Sequence, residues 1–283
     1  MKLSTKILIG LGIAMFVIPI VTTAYIVGNN SIDVKLYEET MRKEANNPNA
    51  KDTYLKTFKT KDFHQLQIKG NNQASIGLFI VKSDQYAVKI AKSNEKEVAI
   101  HVDENGQLRI ELKEASQRYY NTIYIFTPDI KQIDLTQIAI NSFSAKQDQL
   151  EITGNQLHEL HFYPEMAINT LSLRMKNSHI EADDERNGND LRPTQIKQLT
   201  LALDSSKVNF SKQNYESVSI QAKDSEVYFK SGNPDAIVKW LDVKTVGNTF
   251  IGLNDLQVQT LQGQLSDGTK TDLPAQILRK LLK

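Results

Sequence analysis

Cysteine is absent from this 283-residue chain. No disulfide framework, thiolate zinc site or lipid-modified N-terminal cysteine can be built, although the absence selects no compartment. An excess of one charge is also missing: 34 Lys and Arg stand against 33 Asp and Glu, a formal net charge of +1. Without a basic field the chain offers nothing to the phosphates of a nucleic acid, so no nucleic-acid partner is expected. It also lacks a glycine-rich phosphate loop, a serine in a nucleophile elbow, and a carboxylate pair in a catalytic context. What is present, at 40% hydrophobic and 24% charged, suffices for a large core.

One hydrophobic run stands at the N-terminus. Residues 7–27, opening at Ile7 and closing at Val27, hold 21 positions without a charge, enough to cross a bilayer core of about 30 Å as a helix. Pro19 falls within it, which a membrane helix tolerates. A cleaved signal peptide, with Thr22-x-Ala24 as the small-residue site, is the alternative; its apolar region is normally only about 7–15 residues, so an uncleaved anchor is expected. Lys2 and Lys6 precede the span while Asp33, Glu38 and Glu39 follow it, placing the N-terminus in the cytoplasm and the remainder outside. The expected division is an anchor at 1–28, a polar linker at 29–52 broken by Asn46-Asn47-Pro48-Asn49, and a β domain at 53–283.

The β domain is organised around a repeated apolar rhythm. Ile168-x-x-Leu171-x-Leu173 returns as Ile196-x-x-Leu199-x-Leu201, as Tyr215-x-x-Val218-x-Ile220 and as Val238-x-x-Leu241-x-Val243. Each copy ends in a turn: Asn177-Ser178-His179-Ile180, Ser205-Ser206-Lys207-Val208, Asp224-Ser225-Glu226-Val227 and Gly247-Asn248-Thr249-Phe250. Alternation of period two means strands, and Asn, Asp, Ser and Gly supply positive φ or a local side-chain hydrogen bond at the turns. Phe63-x-x-Leu66-x-Ile68, Ile130-x-x-Ile133-x-Leu135, Leu157-x-x-Leu160-x-Phe162 and Leu253-x-x-Leu256-x-Val258 read as further copies, with Gly154-Asn155 as the turn before Leu157. Repeats at steps of 28, 19 and 23 residues signal stacked units. The expectation is an all-β, right-handed β-solenoid or β-helix-like ectodomain. Asn105-Gly106 marks a hairpin, the continuous run 76–81 a strand buried on both sides, and Leu273-Pro274 the start of a C-terminal helix at 273–283.

Few residues suggest chemistry. His158-Glu159-Leu160-His161 lacks the H-E-x-x-H spacing of a zinc protease and reads as surface histidines. Asp183, Glu185 and Asn187 stand at positions 1, 3 and 5 of a calcium loop with Gly188 at position 6, but position 12 is Thr194. The stretch 183–190 therefore reads first as a solvated insertion, with Asp183, Glu185 and Asn187 as the one metal candidate; no cofactor and no catalytic residue is expected. Arg118-Tyr119-Tyr120 and Phe162-Tyr163-Pro164 supply aromatics able to stack on sugars, although strand aromatics usually pack against neighbours. Across the four turns, the outer slot expected to hold His179, Lys207, Glu226 and Thr249 shows no common chemistry.

Phe63-x-x-Leu66-x-Ile68-x-Gly70, the run from Asp84-x-Tyr86-x-Val88 through Gly106-x-Leu108-x-Ile110, and Pro128-x-Ile130-x-x-Ile133-x-Leu135 together resemble the auto-transporter adhesins with a head GIN domain. The later frames resemble that family's L-x-L-x-x-S-G-A-S-x-h-x-h units, with Gly and Ala of the turns mostly replaced here by Asn, Asp and Lys. The resemblance covers residues 60–255. It implies an exported bacterial envelope protein with a β-helical domain and no established catalysis. The function expected is thus a membrane-anchored, non-enzymatic binding or scaffolding domain of the inner membrane, its C-terminal part periplasmic and its partner an envelope protein or glycan. The alternatives are a polysaccharide-active β-helix enzyme and an envelope-stress sensor acting through a membrane partner.

Overall fold

The computed structural model describes residues 3–30, 34–71, 74–113, 121–163, 166–181, 195–253, 256–273 and 278–279. Two compact units result, Met1–Lys43 and Glu44–Lys283.

The first unit is built on helix α1 (Leu3–Asn30), which contains Pro19. Its stretch Leu3–Tyr25 is long and apolar enough to cross a membrane, and none of its most apolar window is buried within the protein. Large apolar side chains, Leu11, Phe16 and Ile20 among them, stand exposed along it. Helix α2 (Val34–Asn46) follows. It ends where Asn47 precedes Pro48, because the proline ring pushes the residue before it out of the helical region.

The second unit begins with strands β1 (Leu55–Lys59), β2 (Gln65–Lys69), β3 (Ser75–Lys82), β4 (Ala87–Ala91), β5 (Val98–Val102), β6 (Gln107–Leu112) and β7 (Asn121–Thr127). Next come β8 (Gln132–Thr136), β9 (Ala139–Ser144), β10 (Lys146–Asn155), β11 (Glu159–Phe162), β12 (Ala167–Lys176), β13 (His179–Glu181) and β14 (Gln195–Asp204). The last are β15 (Lys207–Lys212), β16 (Tyr215–Lys223), β17 (Glu226–Gly232), β18 (Ile237–Val246), β19 (Phe250–Gly252), β20 (Gln257–Gln264) and β21 (Lys270–Thr271).

These strands form two large mixed sheets, and this corrects the expected right-handed β-solenoid. Among the described residues one sheet has 11 strands, in the order β1-β4-β7-β3-β9-β11-β13-β15-β17-β19-β21. The other has 10, in the order β20-β18-β16-β14-β12-β10-β8-β2-β6-β5. The first third of the domain overturns the simple repeat. β1 pairs antiparallel with β4, β4 with β7 and β5 with β6, while β2 inserts between β6 and β8. An apolar frame specifies one buried face per strand; it specifies neither the direction of the neighbour nor the number of sheets. From β8 onward the pairing is parallel and successive strands alternate between the two sheets.

The four central frames align in register. Leu171, Leu199, Val218 and Leu241 are lateral neighbours, as are Leu173, Leu201, Ile220 and Val243. All eight are buried within one hydrophobic cluster to which both sheets contribute, each burial stabilising by roughly 1.5–3 kcal/mol. Phe143, Phe162, Phe210 and Phe229 follow one another along the interior at centroid distances of 5.9, 6.2 and 6.0 Å, the first two pairs tilted and the last stacked. Two of the expected copies are displaced. Leu160 and Phe162 lie in the 11-stranded sheet beside Ile140 and Phe143. At the C-terminal end, Val258 and Leu261 pair with Val238 and Leu241, so the last frame is Val258-x-x-Leu261-x-Gly263.

The turns behave as their residue types demand. Asn177, Ser205, Asp224 and Gly247 all adopt positive φ (48°, 52°, 48° and 68°), as do Gln137 and Gln156 in two turns that residue type did not reveal. Gly154 and Asn155 belong to β10, and the turn they were expected to make is made by Gln156. Behind each turn a buried hydroxyl stacks on the next. The amide of Leu157 donates to Ser178 Oγ, that of Ser178 to Ser206 Oγ and that of Ser206 to Ser225 Oγ, at 3.1, 3.1 and 3.0 Å. The hairpin at Asn105-Gly106 forms as expected, with Asp103 Oδ1 accepting the amides of Asn105 and Gln107. Within 76–81, Ile76, Gly77, Leu78 and Ile80 are buried and Phe79 is half-buried. Of the expected C-terminal helix only 278–279 are described beyond Leu273, and these two are helical.

The start of the domain is held by buried charge. Glu44 accepts the amides of Thr53, Tyr54 and Leu55. Lys89, fully buried, donates to the carbonyls of Asn47 and Ala50 at 2.8 and 3.3 Å and lies 4.0 Å from Asp52.

Candidate binding face

β13, β15, β17, β19 and β21 run side by side and parallel. Ile180, Val208, Val227 and Ile251 are buried, so strand alternation turns their neighbours outward. The register places His179, Lys207, Glu226, Phe250 and Lys270 in one lateral row. Glu181, Asn209, Tyr228 and Gly252 form the next. The slot expected at Thr249 thus belongs to Phe250. Gly247-Asn248 contains one residue more than the equivalent turns, and it carries Thr249 inward, where its hydroxyl donates to the Val246 carbonyl at 3.0 Å.

Tyr228 is the centre of this face. Its ring lies 4.9 Å from that of Phe250, while Lys230 Nζ and Lys207 Nζ stand 4.7 and 5.3 Å from its centroid. Its hydroxyl donates to Glu226 Oε2 at 3.1 Å, and Lys207 Nζ reaches the same oxygen at 3.2 Å. Gly252 makes room for the rings: a Cβ there would come within 2.8 Å of Phe250 and 3.1 Å of Tyr228. The Lys207 contact, joined by the Tyr228 hydroxyl, outweighs partial burial and holds the Glu226 carboxyl below its ordinary value. Burial, reinforced by the Glu226 carboxylate, raises the Tyr228 phenol. A shallow hollow of about 660 Å³ opens beside the row, lined by His158, His179, Lys207, Asp224 and Glu226. Paired aromatics flanked by cations are the residue types that anchor protein interfaces.

The remaining sequence candidates are dispersed. His158 is exposed, but His161 is only 7% exposed and contacts Glu159 through Nε2; it is not the surface histidine its spacing suggested. Phe162 packs in the core, whereas Tyr163 is exposed and meets Phe79 edge-on at 5.8 Å, with Phe79 stacked on Tyr124 at 5.5 Å. Arg118, Tyr119, Tyr120 and Pro164 lie outside the described residues, as do Asp183, Glu185 and Asn187. Tyr228 and Lys230 were not singled out from the sequence, although period two from Glu226 points to both. Phe250 was hidden by the longer turn.

No protein-family profile and no curated protein matches the chain. Among solved structures it is similar to a candidate adhesin from Parabacteroides merdae ATCC 43184, at 13% identity and a TM-score of 0.44, over 77% of this chain and 91% of that one. A candidate lipid-binding protein from Parabacteroides distasonis ATCC 8503 is similar at 14% identity and 0.44, over 77% and 91%. A candidate adhesin from Bacteroides fragilis NCTC 9343 is similar at 12% identity and 0.44, over 78% and 93%. No family match supports the head GIN domain, and the resemblance to that family rests on the sequence motifs alone.

Proposed function

We propose that this protein is a membrane-tethered, non-enzymatic binding module of the bacterial cell envelope, displaying its β domain on the extracytoplasmic side. The observation that carries the reading is the outer face around Tyr228. The space between the sheets is filled by aliphatic and phenylalanine side chains, so a partner meets the domain on its outside. There Tyr228 and Phe250 stand with Lys207 and Lys230 as an aromatic and cationic patch. The apolar α1, with no protein surface covering its most apolar window, supports the tether, since a helix satisfies its own backbone in lipid.

The test has two arms. Protease added to cells with a permeabilised outer envelope should digest the chain beyond Asn30; protection there, with cleavage in inverted inner-membrane vesicles, would reverse the topology. The detergent-solubilised full chain should co-sediment with washed envelope fragments. Tyr228→Ala combined with Phe250→Ala should weaken that binding by about tenfold, the equivalent of about 1.4 kcal/mol. Unchanged binding by the double variant would remove this face from the reading.

A further inference from the structure

Among the described residues of the β domain only three large apolar side chains stand exposed, and two of them, Trp240 and Val246, belong to β18. Both lie on the outward face of the 10-stranded sheet, Trp240 abreast of Ser217 and Thr260, and Val246 abreast of Lys223. Six residues at about 3.3 Å each set them about 20 Å apart along the strand. Between them, Ser172, Thr200 and Ser219 form a row of small uncharged side chains across β12, β14 and β16. The face is therefore level, with an apolar side chain near either end.

Positive charge gathers around Val246. From β10 to β18, the two outward rows nearest the turns hold Arg174 and Lys244 in one, and Lys176, Asp204 and Lys223 in the next. That is four cations against one carboxylate. Arg174 Nε is engaged by Glu151 at 2.6 Å, and Lys223 lies 3.8 Å from Asp204. Lys176 and Lys244 have no carboxylate in reach among the described residues. A hollow of about 690 Å³ opens between these side chains, over Ala202. At the other end Lys239 stands exposed next to Trp240, while Asp242, between the two apolar side chains, is half-buried.

The lysines, more than the tryptophan, name what meets this face. Its complement is anionic, accepts apolar side chains at two points and is flat over about 20 Å. A small anion reaches one end only. A protein partner fits poorly, because lysine and serine are depleted from protein interfaces and arginine takes the cationic positions there. Three of the four clustered cations here are lysines. Lipid headgroups suit the same residues: lysine stems lie along apolar surface with the ammonium at the phosphates, tryptophan settles at headgroup depth, and basic clusters are drawn to anionic leaflets. We propose that this face docks on an anionic phospholipid bilayer, the one that α1 crosses. Trp240 and Val246 enter the headgroup layer, and Lys176, Lys223 and Lys244 meet lipid phosphates. The docking rests on the tether of the binding-module reading. Because both sheets pack on one core, it leaves the Tyr228 face free for a partner.

Trp240 is the only tryptophan of the chain, so its emission reports contact with lipid directly. The full chain is placed one per nanodisc, in phosphatidylcholine alone or in an equal mixture with phosphatidylglycerol. The anionic discs should shift Trp240 emission to the blue, and brominated acyl chains should quench it. Salt at about 1 M, where the Debye length is about 3 Å, should reverse both effects. Lys176→Gln, Lys223→Gln and Lys244→Gln combined should weaken the contact about a hundredfold and restore the neutral-lipid spectrum. Melting curves verify that the triple variant folds. Equal emission in neutral and anionic discs overturns the proposal, as does quenching that persists in a folded triple variant. A blue shift caused by polyglutamate and not by anionic lipid would make this an acidic-protein site and overturns it too. So does a shift seen only with added anionic vesicles, which places the lipid in a facing membrane. A chain that enters discs without lipid contact at Trp240 keeps the tether and loses the docking; a chain that enters no disc loses both.

Discussion

The backbone amide of Ser178 donates to the Oγ of Ser206, 28 residues further along the chain, at 3.1 Å. Ser206 Oγ in turn donates to its own turn at the Asp204 carbonyl, 2.9 Å away. One buried hydroxyl therefore closes a turn and joins it to the turn before.

Ser206→Ala should lower stability by about 1–3 kcal/mol, the cost of leaving a buried amide without its acceptor. Ser172→Ala, on the outer face of the 10-stranded sheet, should change it by less than about 0.5 kcal/mol. Chemical denaturation of both variants provides the comparison, and equal midpoints would show that the hydroxyl ladder contributes nothing.

Leu201 is fully buried while Thr200, its neighbour, is exposed. Leu201→Asp removes roughly 1.5–3 kcal/mol of apolar burial and adds several kcal/mol for an unpaired buried carboxylate. It should unfold the domain, and Thr200→Asp should be nearly silent. Circular dichroism and melting temperature distinguish the two; greater damage from Thr200→Asp would invert the assigned faces.

Glu44 links stability to pH. Burial alone would raise its carboxyl, but the amides of Leu55, Thr53 and Tyr54 more than offset this and hold it below its ordinary value of 4.5. A depressed folded value means that the unfolded state binds the proton more tightly, so the contribution is complete above about pH 4.5 and lost as pH falls through the lower folded value. Glu44→Gln should therefore be least stable relative to wild type at neutral pH, with the gap narrowing on acidification below pH 4.5. Asp52, held low by Thr57 and Lys89 against burial, adds a loss of the same sign in both proteins. Urea midpoints between pH 3 and 7 measure the gap, and a gap independent of pH would remove Glu44 from the linkage.

Gly263 occupies the frame position that Val243 fills one strand earlier. Its φ is +144°, and a Cβ would lie 1.9 Å from the Val243 carbonyl oxygen. Gly263→Ala must displace backbone, so a loss of more than about 1 kcal/mol is expected. A melting temperature equal to wild type would show that β20 can shift without cost.

Strand character, the buried face of each central strand and the turn residues were legible from local sequence. Leu199 and Leu201 had to share a face because side chains alternate along a strand, and Ser205 and Asp224 had to turn because their side chains tolerate or stabilise a left-handed backbone. The frame Leu253-x-x-Leu256-x-Val258 shows where local pattern stops. Its apolar residues are buried as expected, yet pairing begins only at Gln257, and Leu261, not Leu256, sits beside Leu241. Burial is a property of one strand, whereas register depends on two. Phe250 shows the same thing at the binding face, where one additional turn residue moved a phenylalanine into the position beside Tyr228.

The amino-acid sequence by itself determined an apolar N-terminal helix, a β domain with an aliphatic interior, and turns built on Asn, Asp, Ser and Gly, since each follows from the chemistry of neighbouring residues. Only the tertiary structure decided that the strands divide into two mixed sheets, that β4 and β5 run antiparallel to their neighbours, and that Tyr228 meets Phe250 while Trp240 stands between Ser217 and Thr260 on the opposite sheet. Those relations join residues through hydrogen bonds between strands distant in sequence, and period two is the same for a parallel neighbour, an antiparallel neighbour or a neighbour shifted by a whole frame.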